Sequence, residues 1–363
     1  MKICHIVDEL KIGGLEKTVL QITLNLKGYS HEVWCLKNKG VLAQELAGSK
    51  VIVREFGFRG AMTFGALYKL VRELKSGKFD IVHAHGVYPF VWAGIAGFIS
   101  RLPVIHHAQS LYYGLSFKEK LRLKYLSVAT KKIIAVSNAV RDNLENDMGI
   151  NGEKIEVVYN AAEDLVLSIK SKRDEVRKSF GVNPGDFLIG SVGRLEKYKG
   201  HNVLLSAIAE CLKKNINLKC IVVGDGPAKE DLLIHAERMG ISKHVIFTGF
   251  RSDMPGVICA MDLLVQPSIL REGLPLVLAE GASLSLPLIA SDVGGNREIV
   301  SDGVNGFIVP PNDVKCLADK ILYIYEHPVA AADMGMASRK IWSERFRLES
   351  MLAKLDRIYK ECR

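Results

Sequence analysis

The sequence predicts an α/β protein of two doubly wound domains, each a parallel sheet with helices on both faces. Three observations carry this. The 363 residues exceed what one core ordinarily fills. Short runs rich in Val and Ile alternate with helical stretches along the chain. The alternation pauses once, over the polar residues 163 to 185, and then resumes.

Taken in order, "KICHIV", "HEVWCL", "VIVREF", "DIVHAH", "PVIHHA", "KIIAVS" and "IEVVYN" read as the strands of the first sheet. Helical stretches such as "EKTVLQITLNL" and "FGALYKLVREL" separate them. The pause ends in the turn signal Asn183-Pro184-Gly185. "FLIGSVG", "KCIVVG", "VIFTG", "LLVQPS", "PLIASD" and "GFIVP" then give the second sheet. The predicted join lies near residue 165. In such sheets ligands bind at the carboxyl ends of the strands, so two sheets facing each other are expected to form a cleft with a site on each wall.

Composition narrows the class. Hydrophobic content of 48% and charged content of 25% suit a globular chain, and the net charge is +9. Part of that surplus lies in residues 116 to 132, where Lys118, Lys120, Arg122, Lys124, Lys131 and Lys132 face only Glu119. At helical spacing Leu121, Leu123, Tyr125, Leu126 and Val128 give this stretch an apolar side, which suits an anionic membrane surface; the plainer reading is a solvated helix face. No nucleic-acid motif accompanies the charge, so nucleic acid is not an expected partner. The seven cysteines are scattered among aliphatic residues and form no metal-ligand pattern, so they read as buried thiols. The start, "MKICHIVDEL", reads as a strand and not a secretory signal, because His5 and Asp8 interrupt its short apolar part. Residues 86 to 100 fall short of a membrane span and read as a core helix.

The stretch "SILREGLPLVLAEGAS" places Glu272 and Glu280 eight positions apart around Gly273, Leu274 and Pro275. Proline favours the first turn of a helix, so a helix is predicted to begin near Leu274 or Pro275, with Glu272 in the loop ahead of it and Glu280 inside. Its unpaired N–H groups would make an anion site with two carboxylates at its flanks. In "GRLEKYKG", Arg194 and Lys199 follow a strand end, and Gly294 and Gly295 of "DVGGNRE" offer backbone donors where side chains would block approach.

Residues 262 to 313 resemble the donor-site signature of the retaining GT-B glycosyltransferases of family 4. "GSVGRLEKYKG", "VVGDGP", "VIFTGF", "IIAVSNAV", "VVYNAAED" and "KIGGLEK" match further family segments in order, so the resemblance spans nearly the whole chain. It implies two Rossmann-like domains facing across a cleft: 1–164 for the acceptor and 165–344 for the nucleotide sugar, with a helix over about 345–363 packing back on the first. It also implies that Arg194 and Lys199 hold the donor phosphates, that Glu272 accepts from hydroxyls of the transferred sugar, and that Glu280 accepts from the ribose. Gly13 and Gly14 form the amino-terminal glycine loop. Family members carry a histidine at the end of the strand that here reads "PVIHHAQS", where His106, His107 and Gln109 compete; the reading favours His107. Two departures stand out: Asn160-Ala161 where Asn-Gly is frequent, and Leu276 where asparagine is frequent.

The expected activity is transfer of a sugar from a nucleotide diphosphate sugar, UDP favoured and GDP possible, to a hydroxyl of a glycan or lipid-linked acceptor with retention. Bacterial cell-surface polysaccharide or lipopolysaccharide synthesis is the expected setting, at the cytoplasmic face of the membrane. No cofactor and no metal are expected, because no D-x-D pair is present and cationic residues take its place. The alternatives are a nucleotide-sugar epimerase or hydrolase on the same fold, or a non-catalytic sugar-nucleotide binder.

Overall fold

The computed structural model describes residues 1–60, 62–166 and 173–363. It contains two compact units, Met1–Ala161 with Leu348–Arg363, and Ala162–Arg347.

In the first unit the chain runs β1 (Lys2–Val7), α1 (Gly14–Asn25), β2 (Ser30–Cys35), β3 (Ile52–Glu55), α2 (Phe64–Ser76), β4 (Ile81–His85), α3 (Val87–Ser100), β5 (Val104–Ala108), α4 (Phe117–Ala129), β6 (Lys132–Ala135), α5 (Asn138–Asp142) and β7 (Ile155–Val157). Its strands pair in the order β3-β2-β1-β4-β5-β6-β7, every pair parallel. Strands covered on both faces need apolar side chains in both directions, which is why β1 and β5 carry no exposed residue.

The second unit opens with α6 (Arg173–Ser179). Its polar sequence still docks, because Arg173 and Arg177 both donate to Asp262, at 2.5 and 3.0 Å, and reach the carbonyls of Met261 and Ala260. The pause read at 163–185 thus includes a helix; residues 167–172 of it lie outside the described residues. There follow β8 (Phe187–Val192), α7 (His201–Leu212), β9 (Leu218–Val223), α8 (Lys229–Arg238), β10 (Val245–Gly249), α9 (Met254–Cys259), β11 (Leu263–Gln266), α10 (Leu276–Ser283), β12 (Leu288–Ser291), α11 (Asn296–Ile299), β13 (Gly306–Val309), α12 (Val314–Glu326) and α13 (Pro328–Arg345). The parallel order is β10-β9-β8-β11-β12-β13. Ala162 to Asp164 join this unit because Ala162 N–H donates to the Phe346 carbonyl at 3.0 Å and Asp164 pairs with Arg339 at 2.6 Å.

The closing helix α14 (Leu348–Glu361) belongs to the first unit. Its Met351, Leu355, Ile358 and Tyr359 pack on Ile3, Ile81 and Ile105 from one face of the first sheet. No described helix is long and apolar enough to cross a membrane.

Helix α4 corrects the sequence reading of its apolar side. Ser116 and Glu119 close its amino end as a capping box, and Leu123 is buried. Leu121, Tyr125 and Val128, which were expected to share a face with Leu123, instead stay exposed with Phe117. The buried stripe runs through Leu123, Ser127 and Thr130, at spacings of three and four, leaving a second apolar stripe facing out.

Candidate functional site

The second sheet fixes where a ligand can bind. The chain proceeds from β8 toward β9 on one side, and from β11 toward β12 on the other. The carboxyl ends of β8 and β11 therefore flank the topological switch point, where an open parallel sheet leaves a crevice. The loops leaving these strands are tied together. Ile269 N–H donates to the Tyr198 carbonyl at 2.7 Å. Gly200, at φ +69°, lies so close to the Pro267 carbonyl that a Cβ there would collide with it. A third loop, after β12, joins through Gly295 N–H, which donates to the Glu272 carbonyl at 3.2 Å.

Into this junction the fold delivers Lys199 from the β8 loop and Glu272 from the β11 loop. Lys199 Nζ stands 2.7 Å from Glu272 Oε1. Gln266 Nε2 donates to the same oxygen at 3.0 Å, and Ser268 Oγ–H donates to it as well. Three donors thus fix Oε1, and none of the hydrogen bonds described for Glu272 uses Oε2. The carboxylate is almost fully buried, at 4% exposure, so its charge needs this lysine. It is an oriented carboxylate with acceptor capacity left on its second oxygen.

Further polar atoms around the junction are buried without a partner among the described residues: Ser191 Oγ, both ring nitrogens of His201, Gln266 Oε1 and Asn296 Oδ1. Ser191 lies near the end of β8, His201 opens α7, Gln266 ends β11 and Asn296 opens α11. Buried polar groups without partners are costly, so their concentration here marks a place where a polar ligand or water completes them. His201 is held neutral: burial, with the Lys199 charge beside it, pushes its pKa down to about 4.

The sequence-derived candidates distribute as follows. Lys199, Glu272 and Gly295 come together. Gly273, Leu274 and Pro275 form the buried turn from Glu272 into α10, which starts at Leu276 with Pro275 as its cap, slightly later than expected. Glu280 is the fifth residue of α10 and half-buried. Gly294 takes φ +53° beside Gly295. Arg194 is mostly exposed and pairs with Glu196 at 3.1 Å, not with Glu272. Gln266, Ser268, His201 and Asn296 were not singled out from the sequence, although "VQPS" and "DVGGNRE" hold three of them and His201 directly follows "GRLEKYKG".

In the first unit, Gly13 caps α1 and Gly14 begins it. Glu16, two residues on, is a largely buried carboxyl whose pKa burial raises to about 7. His107, favoured from the sequence, stands next to the last residue of β5. Its ring is fully buried, stacked 5.3 Å from that of His83, and neither nitrogen has a partner. The cause is strand parity: His107 shares the face of Ile105, which α14 covers. His106 points the other way, stacks on Phe90 at 3.9 Å and bonds the Tyr112 hydroxyl at 2.7 Å. Gln109, just past β5, is the partly exposed one of the three; its Oε1 accepts from Asn160 Nδ2 at 2.8 Å.

Comparison with known proteins agrees with this geometry. The profile of the family described as "Glycosyltransferase Family 4" matches residues 12–164, and that of "Glycosyl transferases group 1" matches residues 172–341. The chain is 28% identical over 278 residues to the UDP-Gal:alpha-D-GlcNAc-diphosphoundecaprenol alpha-1,3-galactosyltransferase of Escherichia coli, covering 73% of this chain and 70% of that protein. It is 25% identical over 328 residues to the alpha-D-kanosaminyltransferase of Streptomyces kanamyceticus, covering 84% of each. The crystal structure of Anabaena HepE in complex with UDP and glucose superposes with a TM-score of 0.90 at 25% identity, covering 99% of both chains. With two parallel Rossmann-like sheets and both profiles matched in order, the chain belongs to the group 1 glycosyltransferases of the GT-B fold.

Proposed function

We propose that this glycosyltransferase takes its sugar from a UDP-sugar and transfers it, with retention at the anomeric carbon, to a hydroxyl of a lipid-linked or polysaccharide acceptor. The observation that carries the reading is the Lys199–Glu272 pair at the switch point of the second sheet. A departing nucleoside diphosphate gains negative charge as the glycosidic bond lengthens. Lys199, with Arg194 swinging from Glu196, supplies cationic stabilisation where a metal would otherwise serve. Glu272 Oε2 accepts from the sugar, Glu280 from the ribose, and the backbone N–H groups at Gly294 and Gly295 and at the start of α10 face the phosphates. Gly13 and Gly14 leave the backbone at the start of α1 open to a ligand. UDP is favoured over GDP because the Escherichia coli galactosyltransferase and the HepE structure carry UDP in their descriptions.

The acceptor reading rests on α4. Phe117, Leu121, Tyr125 and Val128 are exposed beside Lys118, Arg122 and Lys124, an arrangement suited to lying on an anionic leaflet. A cell-surface polysaccharide or lipopolysaccharide pathway at the cytoplasmic face of the membrane is the matching setting. The experiment is transfer from an α-configured UDP-sugar to a lipid-diphosphate-linked acceptor, with the new linkage read by NMR. An α-linked product is expected; a β-linked product would overturn retention, and free sugar alone would favour a hydrolase.

A further inference from the structure

We infer that the first unit contains a transition-metal site formed by His5, His83 and His85, structural in role and separate from the donor site. One ring nitrogen from each of these residues lies within 4.8 Å of the other two. Adjacent parallel strands bring them together: His5 of β1 registers with His83 of β4, and His85 follows on the same face. All are enclosed in the unit, at 0, 0 and 1% exposure.

The surrounding bonds decide which lone pairs are available. His31 Nε2 lies 3.1 Å from the Leu26 carbonyl, which can only accept, so His31 carries its proton there and presents a bare Nδ1. His5 Nε2 lies 2.9 Å from that Nδ1 and must donate to it, which leaves a lone pair on His5 Nδ1. That lone pair points at His85 Nε2, 3.0 Å away. His83 Nδ1 is joined to the Tyr359 hydroxyl at 2.6 Å; ligation requires the tautomer in which Nδ1–H donates to that oxygen, which puts the lone pair on Nε2, an atom with no partner among the described residues. Each of His5 and His83 therefore has one nitrogen held by an outer group and the other turned inward, the arrangement of metal-ligating histidines oriented by a second shell.

A divalent cation would take the place of the proton shared between His5 Nδ1 and His85 Nε2. That proton passes to His85 Nδ1, a nitrogen with no partner, so His85 changes tautomer and no net proton is released. With metal–nitrogen bonds of about 2.0–2.1 Å in tetrahedral geometry, two ligating nitrogens stand roughly 3.3 Å apart, so the His5 and His85 rings need to part by only a few tenths of an ångström, while the His83 nitrogen, within 4.8 Å of both, closes in to the same spacing. His83 Nε2 supplies the third ligand. A wholly imidazole set favours Zn²⁺ and its neighbours in the first transition row over Mg²⁺ or Ca²⁺. Through Tyr359 the site would fasten α14 to the sheet.

The test uses the full chain, unfolded with chelator, refolded with equimolar Co²⁺ or Zn²⁺, and freed of loose metal by gel filtration. One retained equivalent, visible d–d absorption of tetrahedral Co²⁺, and a higher melting temperature than the metal-free chain are expected. Tyr359→Phe keeps the ligands but removes an outer bond, and should weaken Co²⁺ affinity about 10- to 100-fold with the circular dichroism unchanged. His5→Gln/His85→Gln should retain no metal. Less than a tenth of an equivalent in the wild type, or wild-type retention by His5→Gln/His85→Gln, would overturn the site.

Discussion

Lys199 and Glu272, 73 positions apart, meet at 2.7 Å across the loops that leave β8 and β11. The lysine neutralises a carboxylate that Gln266 and Ser268 also hold, so the two residues are a structural pair before they are a functional one. Lys199→Ala should therefore do two things. It strands a buried charge, at a cost of about 3 kcal/mol, the low end for a broken buried pair because two donors remain. It also removes a stabiliser of developing charge, lowering transfer by about two to three orders of magnitude. Denaturant unfolding and steady-state transfer measure the two separately, and a variant with wild-type turnover at saturating donor would contradict the role.

Arg194 offers the contrasting case. It is exposed and, among the described residues, pairs only with Glu196, a contact of little energetic weight in water. Arg194→Ala should leave the unfolding midpoint nearly unchanged while transfer falls at least a hundredfold. Equal losses of stability and turnover would mean that the residue acts by holding its loop.

Catalysis should survive brief exposure to EDTA, since cationic side chains are proposed to replace a metal at the phosphates. The assay is transfer with and without chelator, followed by Mg²⁺ or Mn²⁺. Loss restored by either hard cation would contradict the proposal; neither suits the imidazole site of the first unit, so the two claims separate.

Acid should destabilise the first unit. Burial lowers the pKa of His5, His83 and His85 well below the ordinary value, and pushes His106 and His107 down to about 3. Like charge on neighbouring rings adds to this for every one of them except His107, where burial acts alone. Below about pH 6.5 the unfolded chain binds protons that the folded one refuses, so stability rises with pH in that window and is lost as pH falls, by up to about 1.4 kcal/mol per histidine for each unit. Denaturant curves at pH 7.5, 6.5 and 5.5 should show the midpoint dropping at the acid end. A flat profile would mean that the cluster takes up protons in place.

Helix α4 should bind anionic vesicles reversibly. Each Lys or Arg near such a surface contributes about 1 kcal/mol, screened over a Debye length of about 8 Å at physiological salt. The wild type should sediment with anionic but not neutral vesicles, and salt should release it. A variant with Lys118, Lys120, Arg122 and Lys124 changed to Gln should remain in solution. If the wild type also remains in solution at low salt, α4 is only a solvated face.

The alternation of strands and helices was legible because each element announces itself within a few residues. What needs register was not. Parity told that His106 and His107 face opposite ways, but not that α14, some 240 positions later, covers the side of His107. In the same way α4 carries two apolar stripes, and only the packing of Leu123 decides which one is buried. The Lys199–Glu272 contact depends on β8 lying next to β11, a strand order that no local pattern states. The histidine cluster needs β1, β2, β4 and β5 side by side, so no local stretch of sequence brings its members together.

The central claim is that the Lys199–Glu272 junction binds the nucleotide sugar. It is tested most directly by the melting temperature of the wild type, Lys199→Ala and Glu272→Gln with UDP, UDP-glucose, UDP-galactose, UDP-N-acetylglucosamine and GDP-mannose. A ligand bound only to the folded state raises its stability by about 2.7 kcal/mol at a hundred times its dissociation constant. UDP and one UDP-sugar should raise the wild-type midpoint, Lys199→Ala should lose both responses, and Glu272→Gln should lose the extra response to the sugar while keeping that to UDP. If no nucleotide shifts the wild type, or Lys199→Ala responds as the wild type does, the junction is not the donor site.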